Sequence, residues 1–286
     1  MKHYIYICSF VILLAASSCD KLLDKEPTSQ VSPEKYLNDA SQLGYYANGL
    51  YTNILPSHSG YSLTFVKDQY TDNQAYITPH PIYIKDSWTV PANDSWNFKN
   101  IYDCNYFLER VLPRYEKGEV SGSTTEICQY IGEVLFLRAY EYFDLYQNYG
   151  DLPIVTKTLP DDQTVLTEAS KRFPRNEVAR FILSDLDKAL EMMPEQFESR
   201  HTRINRNCVL LLKSRVALYE GTFLKYFKGT PFVPQGEGWP GAQKEYSASY
   251  QYPLGGIDEE INWFLDQAIT SSSLLADNII LTANTG

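Results

Sequence analysis

The 286-residue sequence predicts a mainly all-α fold in which helices follow one another in pairs, with long irregular loops between some of them. Two observations carry that expectation. Apolar residues recur at three- and four-residue spacing in segment after segment, the period of a helix that buries one face. These segments begin and end at residues that start or stop helices, and only the stretch 57–94 shows short alternating pieces, enough for a brief β-hairpin. A hydrophobic share of 44% and a charged share of 21% suit a globular chain with ample core.

In chain order, Ser32-Pro33-Glu34 reads as a helix start, with Ser32 as cap and Pro33 in the first turn. Tyr36, Ala40, Leu43, Ala47, Leu50, Tyr51 and Ile54 continue its apolar face as far as Pro56. A second helix is expected over 95–114 on Ile101, Tyr102, Asn105, Leu108, Val111 and Leu112, and 118–123 then breaks the chain. The next is the most strongly marked. Ile127, Ile131, Val134, Leu135, Tyr142, Leu145 and Tyr146 form its stripe, Gly150 can close it in a left-handed conformation, and Pro153 blocks its resumption. Arg138 lies mid-helix, one turn before Glu141 and Tyr142, and is expected to reach a carboxylate on an adjacent helix in a structural role.

A polar loop leads to Pro174, and Val178, Ile182, Asp185, Leu186, Ala189 and Met193 mark a helix ending at Pro194. Another is expected from Asn205, stopping near Gly221. Residues 229–256, rich in Gly, Pro and aromatics including Phe232, Trp239, Tyr246, Tyr250 and Tyr252, read as one long loop of the kind that carries function. The last helix spans 258–276 with Ile261, Phe264, Ala268, Ile269 and Leu275 facing inward.

The N-terminus reads differently. Lys2 and His3 precede an apolar run from Tyr4 to Ala16, then Ser17-Ser18-Cys19. The run is too short to span a bilayer and suits the hydrophobic part of a signal peptide. Small residues before a cysteine resemble a lipobox, which implies cleavage after residue 18 and acylation of Cys19, with 19–31 as a tether. Several acyl chains on one residue exceed the single-chain affinity that leaves anchoring reversible. Cys104, Cys128 and Cys208 remain, each within an apolar helical pattern and with no Cys-x-x-Cys, so no disulfide framework is required.

Composition excludes several function classes. A formal charge of −10 without a basic run argues against nucleic acid. His-Glu-x-x-His, Gly-x-Ser-x-Gly and a phosphate-cradling loop are all missing, and no metal-ligand spacing or cofactor motif occurs. Paired acids such as Asp68 with Asp72, or Asp161 with Asp162, are ordinary in a chain with 35 Asp and Glu. The expectation is therefore a protein without a catalytic residue, a metal or a cofactor. Twenty-three tyrosines suit helix packing and sugar-ring stacking alike.

Several blocks carry a family likeness. Arg138-Ala139, Tyr142-Phe143, Leu145 and Tyr149-Gly150-Asp151-Leu152-Pro153 resemble the hallmark helix of the SusD/RagB family of surface lipoproteins. Cys19-Asp20, Trp96 with Ile101-Tyr102 and Asn105, Arg175 with Glu177-Val178, Asp185 to Ala189, Arg215 to Thr222, and Phe264 to Ala268 agree with that family in order. The resemblance implies a scaffold of tetratricopeptide-like helix pairs over 32–286, covering about the first half of a usual member and lacking its C-terminal half. It also implies capture of an oligosaccharide at the outer membrane, on the extracellular side, and delivery to a TonB-dependent SusC-like transporter. RagB-like members take peptides instead, and a tetratricopeptide-type lipoprotein for outer-membrane assembly would bind no sugar. Tyr83, Trp88, Asn93 and Trp96 lie in a loop before a scaffold helix, where the resemblance places part of the glycan site, and Trp239 in the late loop is a further candidate. Trp96 matches a patterned helix start, for which packing is the simpler role.

Overall fold

The computed structural model describes residues 36–56, 84–87, 97–197, 202–277, 279–280 and 282. Among them are seven α-helices: α1 (Ala40–Ile54), α2 (Lys99–Glu116), α3 (Thr124–Tyr149), α4 (Gln163–Ala169), α5 (Arg175–Met192), α6 (Arg206–Tyr226) and α7 (Ile257–Ala276). A 3-10 turn covers Pro240–Gln243, and no strand occurs among the described residues. The brief hairpin expected within 57–94 lies outside them except for 84–87, a turn closed by the Ser87 amide on the Ile84 carbonyl at 3.1 Å.

Helix α3 is the axis of the fold. It touches α1, α2, α5 and α6, and every residue from Ile131 to Ala139 is buried. A helix with no exposed side in its middle must bury whatever charges its sequence carries there, here Glu133 and Arg138. Outward from this axis, α5 packs on α3, α6 on α5, and α7 on α6.

Four Arg–carboxylate pairs stitch the layers: Arg138–Asp185, Arg175–Glu220, Arg180–Glu260 and Arg203–Glu133. In all four the carboxylate side chain is 0% exposed. An unpaired buried ion would cost several kcal/mol, so each arginine is the condition for its acid being there. Arg203 also donates to Asn48 of α1 at 2.8 Å, and the next amide, of Ile204, donates to the Tyr51 hydroxyl at 2.9 Å. The segment entering α6 is thereby fixed on α1 and α3.

The helix ends follow local chemistry. Ser123 caps α3 through its hydroxyl on the Glu126 amide, and the Gly150 amide closes the other end on the Tyr146 carbonyl at 2.9 Å. Gly150 takes φ +67° with ψ −97°, a positive-φ conformation open to glycine but outside the left-handed helical region expected at that stop.

Other boundaries differ from expectation. Leu37 is left-handed at φ 63° and Asp39 caps α1, its Oδ1 accepting from the Gln42 amide at 3.0 Å, so α1 begins at Ala40 and not near Ser32. Ser32 and Pro33 themselves lie outside the described residues. Helix α2 starts at Lys99 and not near residue 95, and Tyr102 is 46% exposed. The loop before Pro174 contains α4, which has no buried residue and therefore no apolar stripe; Asp162 caps it on the Val165 amide at 2.9 Å.

Gly221 does not stop α6, which runs on to Tyr226. A Cβ at this position would lie 2.9 Å from Leu265 Cδ2 and 3.3 Å from the Leu265 backbone nitrogen, so the glycine admits α7 at close range. Ile269 points outward, 62% exposed. Cys208 is exposed on α6, whereas Cys104 is buried and Cys128 is half-buried with its thiol donating to the Tyr115 hydroxyl at 3.2 Å. The three are free thiols.

Candidate functional site

The chain leaves α3 through Tyr149-Gly150-Asp151-Leu152-Pro153 and returns at α5, and this connection organises the largest cleft described. Leu152 and Phe173 form an isolated antiparallel bridge, with the Phe173 amide on the Leu152 carbonyl at 2.8 Å. That bridge sets Asp151 against the start of α5. Its Oδ1 accepts from the Arg175 amide at 2.8 Å, satisfying a donor at a helix N-terminus. Its Oδ2 accepts from the Trp239 indole nitrogen at 3.0 Å, which ties down the late loop. Burial pushes the Asp151 carboxyl above its ordinary range, and the two N–H contacts work against that.

Below Asp151 lies a closed ionic knot. The Arg175 guanidinium pairs with Glu220 of α6, Nη2 to Oε2 at 2.9 Å, and Nη2 also donates to the Tyr146 hydroxyl of α3 at 2.6 Å. The Tyr146 hydroxyl in turn donates to Glu220, and the Phe223 ring lies 3.3 Å from the guanidinium carbon. Three helices meet at one arginine.

The cleft above this knot encloses about 600 Å³ between the end of α3, residues 170–175 and the loop 231–247. Its floor includes Trp239, only 4% exposed, while Phe232 and Tyr246 present 61% and 45% of their surface. Gln147 and Asn148 add amides, and Arg172 and Lys244 add exposed cations. The late loop is held by its own side chains: Tyr252 donates to the Pro234 carbonyl and Ser247 to that of Gly241, both at 2.7 Å, and Tyr250 donates to Asn176 of α5 at 3.0 Å. Flat apolar faces beside hydrogen-bonding groups are what a sugar ring requires, its C–H face stacking and its hydroxyl edge bonding.

A smaller cavity, about 340 Å³, opens between the start of α2 and residues 153–170. Phe98, Ile101, Tyr102, Leu159 and Leu166 make it apolar, and Asn105 sits at its wall with its amide on the Val155 carbonyl at 2.9 Å. Thr158 is bonded to Glu109 of α2 through Oγ1 at 2.6 Å and through its amide at 3.0 Å, and these bonds hold the Glu109 carboxyl below its usual range.

Of the residues singled out from sequence, Tyr83, Trp88, Asn93 and Trp96 lie outside the described residues, as does Cys19. Phe98, two positions after Trp96, lines the smaller cavity. Trp239 lines the larger cleft, with its indole N–H committed to Asp151. Phe232 and Tyr246 were legible as aromatics of a long loop; Arg172 and Lys244 were not, since single cations in loops have no pattern. Among the described residues no group of three or more His, Cys, Asp or Glu could hold a metal ion, and no helix is long and apolar enough to cross a membrane.

Comparisons with known proteins converge on one family. Residues 21–218 match the SusD-like family model described as starch-binding and associating with the outer membrane. Two SusD-like proteins of Formosa agariphila are similar to this chain. One is 26% identical over 227 residues, which is 74% of this chain and 42% of the relative. The other is 25% identical over 248 residues, 83% of this chain and 47% of the relative. The chain thus spans a little under half the length of these curated relatives. A SusD homolog from Bacteroides thetaiotaomicron shares the fold, with a TM-score of 0.51 at 17% identity over 87% of this chain and 43% of that one. With the family model matched from residue 21 to the middle of α6, and the helical scaffold shared with a solved homolog, the chain belongs to the SusD-like family.

Proposed function

We propose that this chain is a lipid-anchored protein of the outer membrane, facing the extracellular side, that binds glycan and delivers it to a TonB-dependent SusC-like transporter. Residues 1–18 are the signal peptide, Cys19 carries the lipid, 19–31 form the tether, and 32–286 form the helical body. Binding proceeds without bond chemistry: aromatic faces stack, polar groups orient, and the transporter receives the ligand. The observation that carries the reading is the cleft at the end of α3, where Phe232 and Tyr246 expose their rings beside amides and cations. Membership of a family described as starch-binding supports it. In this reading Tyr83, Trp88, Asn93 and Trp96 contribute to ligand binding, and Trp239 supports the cleft from its floor.

Affinity electrophoresis of the full chain in gels containing different polysaccharides tests the binding claim. At least one polysaccharide retards migration, and Tyr246→Ala combined with Phe232→Ala weakens that retardation while leaving the melting temperature within a few degrees. An intact fold that no polysaccharide retards overturns the reading. A tagged chain isolated from its native membrane copurifies with a large TonB-dependent transporter; its consistent absence removes the delivery claim. Cys19→Ala leaves the outer-membrane fraction, and persistence there removes the anchor.

A further inference from the structure

We propose that the cleft at the end of α3 selects a charged sugar chain, holding an anionic substituent (a uronate carboxylate or a sulfate ester) between Arg172 and Lys244. The inference rests on the glycan reading above and narrows it to a ligand class.

The chain as a whole is acidic, with 35 Asp and Glu against 25 Lys and Arg. The cleft reverses that balance: Arg172, Arg175 and Lys244 line it against Asp151 alone. Arg175 is matched from below by Glu220, and both are buried. Arg172 and Lys244 are exposed at the open side of the cleft.

Asp151 does not restore the acidic character. One of its oxygens accepts from the Arg175 amide and the other from the Trp239 indole. Burial disfavours its charged form, while these two N–H contacts and the charges of Arg175 and Arg172 favour it. Lys171 adds a cation beside the cleft, its ammonium 5.8 Å from the centroid of the Tyr246 ring, though it is paired with Glu168.

The side-chain types fit such a ligand. A guanidinium presents a planar fork of donors that matches two oxygens of a carboxylate or sulfate, and an ammonium provides a mobile point charge. The rings of Tyr246 and Phe232 supply the apolar face on which a pyranose rests, a requirement that a simple acidic peptide does not have. A neutral glucan in the same place would bring no anion to a lining of three cations and one acid, which disfavours it relative to a charged chain. Beyond about 8 Å in physiological salt the net negative charge of the protein is screened, so selection falls to groups at contact distance.

Titration calorimetry on the full chain decides the matter, with two matched pairs of probes, oligogalacturonate with its methyl ester and a sulfated oligosaccharide with its desulfated form, and two single probes, a maltooligosaccharide and oligoglutamate. One of the two acidic oligosaccharides binds, weakens with added salt, and loses roughly tenfold or more in affinity when its charge is masked or removed. Which of the two shows the larger loss identifies the anionic group. Arg172→Gln and Lys244→Gln each lower that affinity by a similar factor with an unchanged circular-dichroism melt, whereas Lys188→Gln, an equal change of charge on exposed α5 surface, does not. Equal binding of masked and unmasked sugars, or indifference to both substitutions, overturns the proposal. So does oligoglutamate binding as tightly as the acidic sugar. Binding of the neutral sugar alone overturns this proposal and leaves the glycan reading standing, whereas failure of every sugar removes both.

Discussion

Arg138 of α3 holds Asp185 of α5 by two parallel hydrogen bonds, Nε to Oδ2 at 2.7 Å and Nη2 to Oδ1 at 2.8 Å, with neither side chain more than 6% exposed. Its remaining terminal nitrogen donates to Asn105 of α2 at 2.8 Å, and the Asn105 amide continues to the Val155 carbonyl. One guanidinium therefore fixes three helices and the wall of the smaller cavity.

Removing that guanidinium strands a carboxylate in the core. Arg138→Ala is expected to cost about 3–5 kcal/mol, the range for breaking a buried pair from one side. Joint replacement, Arg138→Met with Asp185→Leu, costs less than the single change because no ion is left unpaired. Urea denaturation of the three proteins measures both. A double variant less stable than Arg138→Ala would show that the pair acts through something other than charge compensation. Ligand specificity stays with the wild type, since no atom of Arg138 lines the larger cleft.

Two helical glycines have opposite expectations for the same substitution. Gly49 of α1 is exposed, and a Cβ there meets nothing within 4 Å. Gly49→Ala gains helix propensity and stabilises by about 0.5–1 kcal/mol. Gly132 of α3 lies against α5 and its end, where a Cβ would be 2.5 Å from Met193 Cγ and 3.2 Å from the Ala189 carbonyl oxygen. The carbonyl belongs to helix backbone and yields little, so Gly132→Ala loses about 1–3 kcal/mol to overpacking despite the same propensity gain. Thermal melts of the two variants shift in opposite directions; a stabilised Gly132→Ala would mean that α5 moves away at small cost.

What the sequence made legible follows from which forces leave a local trace. The stripe of α3 and its Gly150 stop are periodic and chemical signals, and both appear in the structure. Arg138 inside an apolar stripe announced a buried partner, and Asp185, itself at a stripe position of α5, is that partner. Gly221 misled because close approach of α7 is a tertiary fact, and the same residue type also ends helices. Helix α4 went unseen because a helix that buries no residue has no stripe. The Tyr149–Pro153 motif read as a scaffold stop and family marker, yet Asp151 within it joins α5 to the late loop and lines the larger cleft. That role depends on residues 24 and 88 positions away, a distance no local pattern spans.

The three body cysteines separate by reactivity. Cys104 is fully buried in α2, and desolvation pushes its thiol well above the usual range, so the nucleophilic thiolate is withheld. Cys208 is exposed on α6. Brief maleimide labelling of the native protein followed by peptide mapping is expected to modify Cys208 first and to leave Cys104 unmodified until denaturant is added. Labelling of Cys104 at a rate comparable to Cys208 would contradict the packing of α2 against α1 and α3.

Alkali is expected to unfold the protein through its buried phenols. Tyr46, Tyr51, Tyr142, Tyr250 and Tyr252 are all pushed upward chiefly by burial, and nearby acids add to the effect, Glu133 beside Tyr51 and Glu177 beside Tyr250 among them. Tyr142 is the clearest case, with no exposed surface and its hydroxyl accepting from the Val155 amide at 2.8 Å. Below the ordinary phenol value of about 10 these groups are protonated in both the folded and the unfolded chain, and their contribution to stability is complete. Above it the unfolded chain releases protons that the folded chain retains. The folded state then binds more protons, so stability falls as pH rises, and does so steeply because several phenols act together. Phenolate absorbance and helical ellipticity, followed in one alkaline titration, provide the check. The portion of the absorbance rise that belongs to these five residues coincides with loss of helix. If every tyrosine ionises while the ellipticity stays at its neutral value, the phenols are reached by water in the native fold and the packing of Tyr142 of α3 against Phe98 and against Phe181 of α5 is wrong.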